Sequence, residues 1–190
     1  MRRHTTSTQT TGFTLIETMI AVTIITLSIA GPLTTASRAL VSAQIARDQL
    51  TASYLAQEGL EYVRAMRDGA YLDNYYLHLD DGEDVSALAW ADFTTGAGPR
   101  SITPCVDVLC TLDPTYPMGS SLAAYDGDAP LYLSGDIYTQ QATGTVTPFT
   151  RTIRSTAITA SEQEVTSTVS WSFHGTPYSI VLVTHLTPWQ

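Results

Sequence analysis

The chain contains no lysine. Its nine basic residues are all arginine, set against 18 aspartates and glutamates, for a formal charge of −9. Phosphate binding needs a basic face, and no stretch interleaves arginines with aromatics, so nucleic acid is excluded as a partner. Cysteine is scarce as well: Cys105 and Cys110 stand alone in Pro-Cys-Val-Asp-Val-Leu-Cys. C-x4-C is not by itself a zinc site, because two further ligands at workable spacing are missing. Outside the cytoplasm such a pair oxidises to a disulfide; two buried thiols are the second reading and a metal site the third. There is no HExxH, no C-x-x-C, no Gly-rich phosphate loop and no G-x-S-x-G elbow. His78, His174 and His185 are scattered. No enzyme is expected, and no catalytic residue is assigned.

What the chain does have is an apolar start. Hydrophobic residues make up 44% of its 190, too many for a disordered polymer and enough for one modest domain plus an anchor. Phe13 to Leu33 is a run of 21 residues, long enough to cross a bilayer core as a helix. One charge, Glu17, sits inside it. A carboxylate at membrane depth costs roughly 2.5–3.5 kcal/mol on insertion scales, so a chain that keeps Glu17 there uses it. The run does not follow the secretory pattern, in which small residues for cleavage come after the apolar stretch. Here Met1 to Gly12 is polar and Thr-rich, carries Arg2 and Arg3, and precedes the run. The positive-inside rule places those arginines in the cytoplasm and the bulk of the chain outside.

The hexapeptide Gly12-Phe13-Thr14-Leu15-Ile16-Glu17 resembles the processing site of bacterial type IV pilins and type II secretion pseudopilins. That resemblance implies a basic leader cut after Gly12, an N-methylated Phe13 and an assembly role for Glu17 at the fifth mature position. It implies prepilin peptidase, other pilin subunits, an inner-membrane assembly platform and the membrane itself as partners. A minor pilin of a type IV pilus is the reading it favours, first held in the inner membrane with a cytoplasmic N-terminus and then carried to the cell surface. A type II secretion minor pseudopilin is the close alternative. A membrane-tethered extracytoplasmic binding domain is the alternative of another class. Loss of the leader leaves seven arginines against 18 acids, or −11. For Glu17 two roles stand side by side: peptidase recognition alone, or pairing with the amine of a neighbour's Phe13.

The remaining organisation follows from periodicity. Gly31-Pro32 breaks the helix, because proline removes a donor and crowds the preceding turn; this is either a harmless kink or a local unwinding used in packing. From residue 37 the pattern becomes amphipathic, with Ala39, Ala43, Ala46, Leu50, Ser53, Leu60 and Val63 near i+3/i+4 spacing. Gly69 reads as a C-cap. The stretch Leu55-Ala56-Gln57-Glu58-Gly59-Leu60-Glu61 also resembles minor pilin sequences. Residues 69–130, rich in Gly, Pro, Asp and Tyr, read as an irregular connection. Tyr71, Tyr75 and Tyr76 follow the helix and cover its junction with the sheet. Residues 131–190 read as an antiparallel meander, with strands at Phe149–Ile158, Glu164–Phe173 and Tyr178–Leu186. Val165, Val169, Trp171 and Phe173 form the apolar face of one of them. The expected fold is α+β and pilin-like: a long N-terminal helix, membrane-spanning in its first half, packed on a C-terminal sheet. Its segments are a leader (1–12), a transmembrane and assembly helix (13–36), its amphipathic continuation (37–68), the connection and the sheet. No cofactor is expected. The acidic turns Asp80-Asp81-Gly82-Glu83-Asp84 and Asp126-Gly127-Asp128 offer oxygens that calcium could use, but neither follows the EF-hand pattern, and both read as solvated.

Overall fold

The computed structural model describes residues 12–79 and 82–188. A first helix, α1, runs from Leu15 to Leu77. The chain divides into two compact units, residues 1–46 and 47–190.

In the first unit α1 is continuous through Pro32, so the expected break at Gly31-Pro32 does not occur. Proline at this point forfeits one backbone bond, the one to the Ser28 carbonyl, and the helix carries that loss without a break. Thr34 and Thr35 donate to the Gly31 carbonyl at 2.8 and 3.1 Å. Thr18, Thr23, Thr26 and Ser28 bond back in the same way to carbonyls three or four residues earlier. Hydroxyls that serve their own helix leave no donor stranded in hydrocarbon. All residues from Gly12 to Gln44 are exposed.

In the second unit α1 turns a narrow buried stripe to the core: Ala52, Leu55, Ala56, Gly59, Leu60, Val63, Met66, Gly69 and Ala70. The steps of three and four keep these residues on one face. They pack on a seven-stranded antiparallel sheet. Its spine is β5 (Thr145–Thr159), with β6 (Glu162–Phe173) along one edge and β7 (Thr176–Leu186) beyond it. The other edge of β5 is shared by two small hairpins. One is β3 (Pro130–Ser134) with β4 (Ile137–Thr139); the other is β1 (Cys110–Leu112) with β2 (Leu122–Ala124). His174 and Gly175, both at positive φ, form the two-residue turn between β6 and β7. Paired positive φ values match the right-handed twist of the strands. Val165, Val169 and Trp171 are buried on the inner face, with Ile153 and Phe149 beside them. Each large apolar side chain removed from water this way stabilises the fold by roughly 1.5–3 kcal/mol.

The helix is longer than its sequence suggests. Gly69 is an interior residue rather than a cap, and α1 continues two further turns. The glycine serves packing, since a Cβ at this point would overlap the Arg100 guanidinium, which pairs with Asp73 one turn on. Tyr71, Tyr75 and Tyr76 therefore lie on α1 itself, with Tyr71 and Tyr75 stacked 6.3 Å apart and Tyr76 exposed. The region read as irregular also holds structure. It contains α2 (Val85–Thr94), capped by Asp84, whose carboxylate accepts from the Ala87 amide at 3.1 Å, and strands β1 and β2. α2 buries Trp90 and Phe93 against the same core as Val63 and Met66. Ten residues with little polar alternation give no readable helical period, which is why α2 escapes a pattern search.

Candidate functional site: the N-terminal segment and its support

Gly12 and Phe13 precede the first helical residue, and Phe13 is 82% exposed. The helix opens at once: the Thr14 carbonyl accepts from the amides of Glu17 at 3.1 Å and Thr18 at 3.2 Å. Glu17 thus falls in the first turn, where the free amide dipoles favour an acid. From Glu17 the next charged residue is Arg38. The arrangement offers an accessible glycine–phenylalanine bond, then one carboxylate, then an uninterrupted apolar helix long enough to cross a membrane by length and composition. Residues 1–11, with Arg2 and Arg3, lie outside the described residues, as do Asp80, Asp81 and Trp189.

Other expected positions resolve as follows. Cys105 and Cys110 are joined by a disulfide with Cα atoms 5.4 Å apart, and both are buried in the core. It holds the 3₁₀ turn Thr103–Cys105 against the start of β1. Asp126 and Asp128 are exposed. Among the described residues no three His, Cys, Asp or Glu side chains gather as a metal site. His185 contacts Glu162 at 2.9 Å on an exposed surface, and His174 sits in a turn.

Two buried polar groups were not anticipated. Arg151 of β5 is fully buried and pairs with Glu58 of α1. It also donates to the carbonyls of Leu55 at 3.1 Å and Leu112 at 2.8 Å. The neighbouring Gly59 lets the helix approach closely, since a Cβ would lie 2.8 Å from Ser167 Oγ and 2.9 Å from Ile153 Cδ1. The Glu58-Gly59 step inside the noted Leu55–Glu61 stretch is therefore a helix–sheet lock. Its partner, an arginine in an otherwise Thr-rich strand, was the overlooked signal. The second group is Asp113, 2% exposed. Burial opposes its charge, but hydrogen bonds from Thr115 (side chain and amide), Thr139 and the Gln140 amide outweigh that and hold its carboxyl below the usual range. Asp113 thereby ties the loop after β1 to the end of β4.

Residues 9–31 match the prokaryotic N-terminal methylation motif. No curated protein and no solved structure matches the chain. The motif, the apolar helix it heads and the α+β fold behind it are those of prepilin-type processed subunits of the pilin and pseudopilin kind. Prepilin peptidase processing follows from the same motif.

Proposed function

We propose that the chain is a minor pilin, cut after Gly12, methylated at Phe13, and assembled through its apolar helix into a type IV pilus. The observation that carries this reading is the exposed helix from Leu15 onward, apolar up to Arg38 except for Glu17 and headed by Gly12-Phe13. The resemblance of Leu55 to Glu61 to minor pilin-like sequences supports the minor-subunit part of the reading, and a type II secretion minor pseudopilin is the alternative. The subunit waits in the inner membrane, Arg2 and Arg3 inside and the sheet outside, until the assembly platform takes it up.

Glu17 sets the register. Once helices bundle and exclude water, an ionised carboxylate needs a cation. Cleavage creates one, the amine of a neighbour's Phe13. The leader both masks that amine and would have to enter the bundle, so cutting precedes assembly. Glu17→Ala separates this role from peptidase recognition. The variant is expected to be cut normally after Gly12, as read by intact mass, and to enter sheared filaments poorly, as read by immunoblot. Normal cutting with wild-type incorporation would refute the register role.

A further inference from the structure

Strand β7 is 11 residues long, and among the described residues it pairs with β6 alone, at every position and without a shift of register. The turn at His174-Gly175 fixes which of its groups face out. In such a turn the Phe173 carbonyl accepts from the Thr176 amide, so Thr176 bonds inward to β6. Bonded and non-bonded pairs then alternate along the antiparallel ladder. Tyr178, Ile180, Leu182 and Thr184 therefore turn their amides and carbonyls to β6. Ser179, Val181, Val183 and His185 turn theirs away from the sheet. Pro177, which has no amide hydrogen, falls in the outward set, where it takes nothing from the ladder.

Sheet edges are ordinarily closed to stray strands by brevity, by lysine, by a bulge or by a proline in mid-strand. The edges opposite β7 follow this rule, since β2 and β4 are three residues each. From Ser179 to His185, β7 has none of these devices. Val181 and Val183, 53% and 51% exposed, stand beside the free backbone groups. The one ionisable side chain in this window is His185, whose Nδ1 lies 2.9 Å from Glu162. A chain of formal charge −9 repels an acidic strand, and a basic strand finds no carboxylate within the window. The edge therefore suits a strand without charge.

We propose that the free edge of β7 accepts an extended, uncharged, β-branched segment of another polypeptide, added as an antiparallel strand along Ser179 to His185. The four outward residues supply the main-chain bonds that give such an addition its affinity. Val181 and Val183 gain apolar neighbours across the new pair, which selects for β-branched side chains. Antiparallel order is the more stable one and continues the order of the whole sheet. In that order a second copy of the chain is not the occupant. Its one edge of matching length is another β7, and two β7 edges meet antiparallel when one molecule is rotated half a turn about the sheet normal. The rotation reverses α1, which lies along the sheet face. Subunits held in one membrane by like N-terminal helices run the same way, and on this point the inference rests on the proposed function.

The test titrates the full chain in detergent micelles with the peptide acetyl-Thr-Val-Thr-Val-Thr-Val-Thr-amide, N-methylated at every second residue so that it cannot grow into fibrils. Amide hydrogen exchange is followed residue by residue. At saturating peptide the amides of Ser179, Val181, Val183 and His185 should exchange about tenfold more slowly, while those of Ile180 and Leu182, already bonded to β6, keep their rates. Val181→Pro removes one outward amide and no bond to β6, and should weaken the peptide about tenfold. The same peptide N-methylated at every residue should bind at least as poorly. No slowing at the four positions, or equal slowing with the fully methylated peptide, overturns the inference, whether or not the proline variant folds. Slowing that appears without peptide and grows with protein concentration would put a second copy on the edge, and would overturn the assignment to another polypeptide. The titration requires neither cutting at Gly12 nor filaments, so its failure leaves the proposed function standing. A chain that is never cut or incorporated defeats that function, while the titration still decides the edge.

Discussion

Removing Glu58 should harm this domain far more than removing Arg151, although the two form one ion pair. Arg151 is fully buried in the middle strand of the sheet. Glu58→Ala leaves a guanidinium inside the core with only the carbonyls of Leu55 and Leu112 for company. An uncompensated buried charge costs about 3–5 kcal/mol. Because the Glu58 side chain is 44% exposed, water can enter the gap, and the low end, about 3 kcal/mol, is expected. Arg151→Met removes the charge and keeps most of the volume. Its main loss is the bond to the Leu112 carbonyl, about 1 kcal/mol. In the Arg151→Met background, Glu58→Ala should then be nearly silent, giving a coupling of about 2–3 kcal/mol. Urea unfolding in a mild detergent, followed by the fluorescence of buried Trp90 and Trp171, reads this out. With a slope of about 1–3 kcal/mol per molar urea, Glu58→Ala lowers the midpoint by about 1–3 M. Equal losses for the two single variants that add in the double would refute the reasoning, because they would mean that Arg151 is not charged and enclosed as described.

Three further outcomes are expected. Asp113 has a depressed carboxyl pKa in the folded state, so its stabilising effect is present above the unfolded value near pH ~3.9 and fades as acid titrates the folded carboxylate. Asp113→Asn should therefore lower thermal stability at pH 7, by about 1–3 kcal/mol for the disturbed bonds, with the gap to wild type narrowing below about pH 4; a gap independent of pH would contradict the assignment. Cys105 and Cys110 should both resist alkylation in protein purified without reductant, and reduction should cost about 2 kcal/mol, the small loop limiting the entropic gain; two alkylated thiols by mass would refute the pairing. Gly12→Val should block cutting through β-branched crowding at the scissile bond, so that mass measurement finds the leader retained; a mature chain starting at Phe13 in this variant would refute the cleavage site.

Much of the fold was legible because its signals are local. Alternation in β6 and β7 and the steps of α1 belong to neighbours in sequence, so the α+β arrangement could be read directly. The errors came where one residue type serves two physical ends. Gly69 looks like a cap because glycine usually ends helices, yet here it makes room for Arg100, a partner far along the chain. Pro32 looks like a break, yet one lost backbone bond leaves a 63-residue helix whole. Asp113 and Arg151 were illegible for a similar reason. Their meaning depends on burial and on partners 26 and 93 residues away, which no window along the chain contains. The N-terminal motif was the opposite case: Gly12, Phe13 and Glu17 fall within six residues, so one short window along the chain contains them all.

The hydroxyls of the N-terminal helix have a mechanical consequence. Thr18, Thr23, Thr26, Ser28, Thr34, Thr35 and Ser37 each spend their donor on their own backbone. A rod whose hydroxyl donors are turned to its own backbone offers neighbours a surface without free hydroxyl donors. It can slide and rotate against like rods, or leave lipid for protein, without breaking a bond at each step. Such a shaft behaves as a bearing, and sideways friction along it is low. Position along it is then a matter for the few groups that do not face inward, and in this segment the ionisable one is a single carboxylate in the first turn.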